Sequence, residues 1–173
     1  MEKGINHYIL QKFGMGQGDI RQYSPLVLAY IGDGIYDLVI RSMLVGKGNA
    51  HVNDLHKKAS RLVKAHAQSE MAKLLQPELT EEEFDIYRRG RNTKTFTSAK
   101  NATVADYHRA TGFEALMGYL YLQDNMDRMM ELILKGLEGT AGDARQGNHP
   151  PGAGDGSREP MVSQGTEQGK EKG

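Results

Sequence analysis

Apolar side chains recur at intervals of three and four residues along most of the chain up to residue 138, which is the spacing of one helical face. No stretch alternates apolar and polar residues over the length of a strand. The pattern therefore predicts an all-α fold. Helices are expected at about residues 25–45, 49–75, 80–89, 104–122 and 126–137, with a further short helix near 4–13.

Local signals predict several helix ends. Ser24 followed by Pro25 is a strong start signal, because Ser caps free N–H groups and Pro suits the first helical position. Thr80 and Glu83 have the spacing of a capping box, which predicts that the third main helix begins there. Residues 90–102 carry Gly, Asn, Thr and Ser and are predicted to form a loop.

The composition changes abruptly near Gly139. From there to residue 173 the chain consists of small, polar and charged residues, and Met161 and Val162 are its only large apolar side chains. Such a segment cannot bury enough apolar surface to offset the entropy lost on ordering. The sequence therefore predicts a helical domain over residues 1–138 and a disordered tail over 139–173.

The overall composition excludes several classes of protein and several kinds of functional site. The chain has 173 residues, 22 basic and 22 acidic side chains, and no Cys. The lack of Cys excludes disulfides, thiolate metal sites and cysteine nucleophiles, and the zero net charge means that any nucleic-acid surface must be a local patch. No apolar stretch approaches the ~20 residues of a membrane helix, and the first residues lack a secretory signal pattern. A soluble, cytoplasmic protein is expected.

The helix predicted at 25–45 carries an acidic residue in an unusual setting. It is apolar on nearly every face, which predicts a central, buried helix. Asp33 lies at its middle between Gly32 and Gly34, although a glycine inside a helix costs ~1 kcal/mol relative to Ala. The glycines would let another backbone or a phosphate approach, and a buried carboxylate needs a cation, a hydrogen-bond network or a proton. Asp37, one turn further on, has the spacing either for a simple surface pair with Arg41 or for a place in the same site.

A second embedded carboxylate occurs in the helix predicted at 104–122. Glu114 is the only charged residue in the segment TGFEALMGYLYL. One interpretation is a buried Glu bonded to a Tyr hydroxyl or an Arg. The other is that the two helices pack, so that Asp33 and Glu114 converge as hard oxygen ligands for Mg²⁺ or Mn²⁺. No two histidines are four residues apart, so the histidines are interpreted as surface or packing residues.

Basic and small polar residues alternate between the third and fourth main helices. From Arg88 onward no acidic residue occurs before Asp106, and the intervening hydroxyl and amide side chains suit contacts with phosphates and 2′-hydroxyls of double-stranded RNA. The alternative is an ordinary solvated loop, with Arg88 and Arg89 pairing to Glu81, Glu82 or Asp85. The candidate RNA-binding residues are Arg91, Asn92, Lys94 and Lys100 here, with Lys57 and Lys58 on the second helix.

These segments together resemble the ribonuclease III family. LAYIGDGIYDLVIR is similar to its signature helix, and FEALMGYLYL is similar to its second motif. The segments LHKKAS and RRGRN, in this order and spacing, bring the chain closest to the Mini-III ribonucleases, small bacterial members that lack a double-stranded-RNA-binding domain. The resemblance covers about residues 20–137 and leaves out the tail.

The resemblance implies a fold, an activity and a ligand set. It implies a homodimeric all-α endonuclease domain, with exposed apolar residues of the signature helix as its interface. It further implies Mg²⁺-dependent hydrolysis of double-stranded RNA to 5′-phosphate and 3′-hydroxyl ends, and maturation of large-subunit (23S) ribosomal RNA precursor, with a ribosomal protein or the assembling large subunit as a candidate further partner. Asp33 and Glu114 match the family's metal ligands and would be the catalytic residues. Ala29 and Thr111 stand where the wider family has two further acidic residues.

Two other functions remain open from the sequence. The missing acidic residues at Ala29 and Thr111 are compatible with a catalytically silent scaffold that binds double-stranded RNA. Treating Asp33 and Glu114 as structural acids leads instead to a helical protein-interaction module without RNA affinity.

Overall fold

The computed structural model describes residues 4–93 and 103–146, with side chains described up to residue 142. These residues form seven α-helices and contain no strand, which confirms the all-α fold class. The helices are α1 (Ile5–Lys12), α2 (Pro25–Gly46), α3 (Val52–Val63), α4 (Ala65–Leu75), α5 (Glu81–Arg91), α6 (Val104–Leu122) and α7 (Met126–Gln146). Single 3-10 turns at Ile20–Gln22 and Gln76–Glu78 lead into α2 and α5.

The predicted capping signals form as expected. The Ser24 hydroxyl accepts a hydrogen bond from the backbone N–H of Val27 at the start of α2. At the start of α5, Thr80 and Glu83 each accept a hydrogen bond from the other's backbone N–H, which completes the capping box. These bonds satisfy N–H groups that have no partner inside the helix.

The helix predicted over 49–75 is wrong in one respect, because the structure divides it into α3 and α4. Lys64 lies between them with an extended backbone (ψ 151°). Side chains from elsewhere satisfy the carbonyl groups left free at the end of α3. Tyr36 donates its hydroxyl to the Leu62 carbonyl at 3.1 Å, and Gln68 donates its amide to the Val63 carbonyl at 2.9 Å. The break contains no Gly or Pro, so local sequence gives no sign of it.

The prediction that the last helix ends before Gly139 is also wrong. Helix α7 continues to Gln146, so its last turns fall in the segment expected to be a disordered tail; residues 147–173 lie outside the described part of the chain. Gly136 and Gly139 are positions of close approach to α4 rather than a stop signal. A Cβ on Gly136 would lie 2.6 Å from Met71, and one on Gly139 would lie 2.9 Å from Leu74.

Helix α6 lies at the centre of the fold and packs against α2, α4, α5 and α7. Its buried side chains supply much of the core, and Phe113 meets the ring of Tyr36 edge-on at 5.1 Å between centroids. The core holds the central turns of α2 and α6 rigidly against each other. Both embedded carboxylates, Asp33 and Glu114, lie on these turns.

Helix α2 is not buried on every side, contrary to the expectation from its apolar sequence. One stripe of apolar side chains is open to solvent in the single chain, including Tyr30 with 83% of its surface exposed. The stripe follows the three- and four-residue spacing of a helical face. We call it the α2 apolar face; its members are Val27, Tyr30, Leu38 and Val45.

Candidate active site

Helices α2 and α6 touch backbone to backbone where the two carboxylates lie. A Cβ on Gly32 would fall 1.7 Å from the carbonyl oxygen of Glu114, and a Cβ on Gly118 would fall 2.0 Å from that of Leu28. The absence of both side chains therefore allows the contact, as expected for Gly32. Gly34 differs, since a Cβ there would meet nothing within 4 Å. It leaves open space beside Asp33.

The charge of Asp33 acts on Glu114 across this contact. Burial raises the pKa of Glu114 to about 7, and the nearby charge of Asp33 adds to the effect. Asp33 is exposed in the single chain, and partial desolvation, with a contribution from the charge of Asp37, raises its pKa as well. No ion pair within the described residues involves Asp33 or Glu114. Two neighbouring carboxylates without a protein cation fit the ligand chemistry of Mg²⁺ or Mn²⁺.

Asp37 forms a surface ion pair. Its Oδ2 lies 2.5 Å from Nε of Arg41, one helical turn away. An exposed pair of this kind contributes only ~0.3 kcal/mol to the helix. The paired guanidinium sets Asp37 apart from Asp33, which has no such partner.

Glu114 has a polar partner that was not predicted. The buried amide of Gln68 on α4 lies beside the Glu114 carboxylate and partly offsets the rise in its pKa. Gln68 is 1% exposed, and it takes the place of the Tyr hydroxyl or Arg considered from the sequence. The available signal was a polar residue on the apolar face of α4, at helical spacing with Met71, Ala72 and Leu75.

A second group of possible metal ligands lies on α4 and α6. Ligand atoms of His66, Glu70 and Asp106 all fall within 4.8 Å of one another. Asp106 is already well bonded: His66 Nδ1 lies 3.3 Å from its Oδ2, and Arg109 contacts its Oδ1. A hydrogen bond from Ser69 is the largest cause that holds the pKa of Asp106 at about 2. The spacing of the histidines along the sequence gives no sign of this group, because it contains one histidine and two carboxylates.

The predicted basic residues have different environments. Arg91 lies over the ring of Tyr87 at 5.7 Å and, with Asn92, lines a polar surface pocket that His108 and Arg109 complete. Lys57 and Lys58 are exposed on α3. Lys94 and Lys100 lie outside the described residues.

The two arginines before this pocket differ from each other. Arg88 pairs with Asp85, as the solvated-loop alternative proposed. Arg89 instead donates to the carbonyl oxygens of Arg21 and Tyr23, both at 3.3 Å, so the expected pairing with an acid of its own helix is wrong. Arg89 anchors the segment that leads into α2.

Comparison with known sequences decides the family. The profile of the Ribonuclease III domain matches residues 26–125, which include both Asp33 and Glu114. The chain belongs to the ribonuclease III family. Within that family it is 46% identical over 129 residues to Mini-ribonuclease 3 of Clostridium tetani, covering 72% of this chain and 85% of that protein. It is 50% identical over 117 residues to Mini-ribonuclease 3 of Enterococcus faecalis, covering 66% and 89%.

The fold agrees with this family assignment. The crystal structure of protein FN1578 from Fusobacterium nucleatum superposes with a TM-score of 0.64 at 34% identity, covering 72% of this chain and 99% of that one. Like its ribonuclease III relatives, the chain is an endoribonuclease. Membership favours the enzyme over the silent scaffold and the interaction module. Within the described part of the chain, no helix has both the length and the apolar character needed to cross a membrane.

Proposed function

We propose that this ribonuclease III family member is a divalent-metal-dependent endonuclease of double-stranded RNA, in which Asp33 and Glu114 hold the metal and are the catalytic residues. The observation that carries the proposal is the pair of neighbouring carboxylates at the contact between α2 and α6, where no cationic side chain of the described residues neutralises either one. Mg²⁺ is the expected ion, and Mn²⁺ is the expected substitute.

The proposed reaction adds water across a phosphodiester bond. The water oxygen bonds to phosphorus, the P–O3′ bond breaks, and a proton goes to O3′, which leaves a 5′-phosphate and a 3′-hydroxyl. When bound, a divalent cation supplies activation of the water and neutralisation of the charge that develops on the phosphoryl group. Asp33 faces solvent, so the phosphodiester can approach from its side of the site. Glu114, on α6 across the helix contact from Asp33, would supply the second carboxylate ligand.

RNA binding is proposed to involve the polar pocket and the exposed lysines of α3. Arg91 and Asn92 lie at the end of α5, with the Arg91 guanidinium 5.7 Å from the centroid of the Tyr87 ring and its Nε–H donated to Asn92 Oδ1. The remaining guanidinium N–H groups suit contact with a phosphate. Lys57 and Lys58 add positive charge from α3, and Lys94 and Lys100 remain predicted contacts. Such contacts recognise the shape of an RNA duplex rather than its base sequence.

A homodimer is proposed to form through the α2 apolar face. Asp33 lies about 100° around the helix from the centre of this face, by the rotation of ~100° per residue. A second copy seated on the face would therefore place its own Asp33 at the opposite border of the interface. The two sites could then act on the two strands of a duplex, with the large-subunit ribosomal RNA precursor as the proposed substrate and a ribosomal protein or the assembling subunit as a candidate partner.

A cleavage assay on labelled double-stranded RNA containing a ribosomal precursor stem tests the proposal. Wild-type protein is expected to give discrete products with Mg²⁺ or Mn²⁺ and none with chelator. Asp33→Asn is expected to bind the RNA on a native gel without cleaving it, and Asp127→Asn, at an exposed position on α7, should cleave normally. Cleavage by Asp33→Asn at the wild-type rate would refute the metal role of Asp33. RNA that shifts on the gel but stays intact with wild-type protein would favour the silent scaffold.

A further inference from the structure

The polar pocket lies between the end of α5 and the start of α6. Arg91 and Asn92 line it from α5, and Ala105, His108 and Arg109 line it from the first two turns of α6. Two of these five side chains are guanidiniums, and none of the five is acidic. The pocket has a volume of about 560 Å³, which is within the range of ligand-binding clefts. It therefore concentrates positive charge in a concave surface between two helices.

The Arg91 guanidinium has no acidic partner. Its Nε–H is donated to Asn92 Oδ1 at 3.3 Å, and no ion pair within the described residues involves Arg91. Its central carbon lies 5.7 Å from the centroid of the Tyr87 ring. The face of an aromatic ring attracts a cation but does not neutralise it. The charge of Arg91 is therefore available to an anion.

Arg109 is held in place by a contact with α4. Its Nη1 donates to the hydroxyl oxygen of Ser69 at 3.2 Å, and Asp106 Oδ1 lies 3.5 Å from the same nitrogen. Ser69 and Asp106 are both buried, so these contacts fix one side of the guanidinium. A guanidinium has five N–H donors, and neither Nε nor Nη2 of Arg109 forms a hydrogen bond within the described part of the chain. Most of its donors therefore remain for a ligand.

Asp106 does not neutralise both arginines. Its Oδ1 faces Arg109, and its Oδ2 faces His66 Nδ1 at 3.3 Å. A structural role accounts for the contacts of Arg109 with Ser69 and Asp106, but it leaves Arg91 on the same pocket without an acid. Two like charges that line one pocket repel each other, and an anion between them removes the repulsion. An anionic ligand therefore accounts for both guanidiniums.

We propose that the polar pocket binds one phosphate group of the RNA backbone between the guanidiniums of Arg91 and Arg109, and that Ser69 is a positioning residue for Arg109. The inference rests on the RNA-binding function proposed above and specifies a site for it. Arg109 precedes Glu114 by five residues of α6, which is ~7.5 Å along the helix axis. A duplex presents several phosphates within such a distance, so the bound phosphate flanks the scissile bond. Paired N–H groups of a guanidinium suit a phosphate and read no base sequence.

The test measures how tightly the full-length protein binds a labelled RNA duplex as salt is raised. Fluorescence anisotropy is recorded with chelator, so that the RNA stays intact. Arg91→Gln and Arg109→Gln should each weaken binding by ~10-fold and reduce the slope of log affinity against log salt by ~1. The double variant should reduce the slope by no more than ~1, because both side chains hold the same phosphate. Arg88→Gln is the matched control, since Arg88 lies on α5 and is already paired with Asp85.

Ser69→Ala tests positioning while it leaves every charge in place. RNA affinity should fall by ~3-fold, because the Arg109 guanidinium loses a fixed hydrogen-bond partner. In the Arg109→Gln background the same substitution should have no further effect on RNA affinity, since no guanidinium is left to position. If Ser69 were only structural, Ser69→Ala would lower the thermal stability and leave RNA affinity unchanged.

Several outcomes would overturn the proposal. A folded Arg109→Gln protein with wild-type affinity and salt slope would remove Arg109 from the site. A double variant whose slope falls by ~2 would mean that the two arginines contact separate phosphates. If Arg109→Gln fails to fold, Arg91→Gln and Ser69→Ala decide, and wild-type affinity in either one contradicts the pocket.

Two further comparisons identify the source of the phosphate and separate this proposal from the one on which it rests. A duplex with 5′-hydroxyl ends should show the same losses, and losses confined to duplexes with 5′-phosphate ends would assign the pocket to a terminal phosphate instead of the backbone. If wild-type protein binds the duplex and every variant binds it equally well, only the pocket fails. If wild-type protein does not bind duplex RNA even at low salt, the proposed RNA-binding function itself is wrong.

Discussion

Replacing Gly32 with Ala tests the contact that builds the site. The new Cβ would lie 1.7 Å from the Glu114 carbonyl oxygen and 2.7 Å from the backbone nitrogen of Gly118. Nonbonded heavy atoms approach to about 3.5 Å, so α2 and α6 would have to separate by roughly 1.5 Å or more. The obstacle is backbone and cannot rotate away. Overpacking costs ~3 kcal/mol at the upper end of its usual range, and the higher helix propensity of Ala returns ~1 kcal/mol. A net loss of ~2 kcal/mol in the free energy of unfolding is expected.

Urea unfolding followed by circular dichroism, in chelator, measures this loss. Gly142→Ala is the matched control, because its Cβ would meet nothing within 4 Å and the substitution should be neutral or stabilise by up to ~1 kcal/mol. Gly32→Ala should also lower cleavage by ~100-fold, since a misplacement of about 1 Å has an effect of that size on catalysis. Stability within ~0.5 kcal/mol of wild type, together with normal cleavage, would refute the argument that the glycine contact positions the two carboxylates.

Four further predictions concern separate parts of the molecule. Arg128→Ala should lower the free energy of unfolding by ~3 kcal/mol in urea titrations, because it leaves the buried Glu83 carboxylate without its ion-pair partner. The same pair holds the pKa of Glu83 below its ordinary value of 4.5, so its stabilisation is complete above that pH and is lost as pH falls further. Because the pKa of Glu114 is raised to about 7, calorimetric Mg²⁺ affinity should increase with pH up to that value and then level off. Arg91→Ala should weaken binding to duplex RNA and reduce the slope of log affinity against log salt by ~1. Tyr30→Glu should convert a dimer to a monomer in sedimentation velocity, because it places a charge within the α2 apolar face.

Each of these predictions has a matched control or a contrary outcome. Arg88→Ala removes a guanidinium from the same helix that is already paired with Asp85, so its salt slope should stay close to wild type. Leu134→Glu places a charge on another exposed apolar position, on α7, and should not change the sedimentation coefficient. A Mg²⁺ affinity that is flat between pH 5 and pH 8 would contradict the raised pKa of Glu114. Acid unfolding of Arg128→Ala with the same midpoint as wild type would contradict the role given to its ion pair.

The sequence predicts helices well where local chemistry ends them. The cap at Ser24 and the capping box at Thr80 lie close to the observed starts of α2 and α5, because both depend on bonds within a few residues. The break at Lys64 is accompanied by hydrogen bonds to carbonyl groups of α3 from Gln68, at the start of the next helix, and from Tyr36, which lies on α2 and reaches α3 only in the folded chain. The length of α7 depends on glycines that fit against α4. Neither of these tertiary causes has a local signature.

The site follows the same division. Asp33 and Glu114 are conspicuous in sequence, because a charge in an apolar helix has few explanations. Gln68 is fully buried, yet it carries no charge and its helix propensity is ordinary. Its place on the helix therefore gives no more than the expectation that it packs in the core. The hydrogen bond between His66 and Asp106 could not be predicted from the sequence either, because it forms only where α4 and α6 pack side by side.

The exposed side of α2 shows how a correct physical rule can give a wrong result for a single chain. A helix that is apolar all round is expected to be buried all round. In this chain one side of α2 packs on α6 through Gly32, while the α2 apolar face opposite the core remains open. Contiguous exposed apolar surface on a protein generally marks an interaction site. Under the dimer proposal, burial predicted from the sequence of α2 is a property of two chains, and Asp33, at the border of the face, stays exposed where the substrate would reach it.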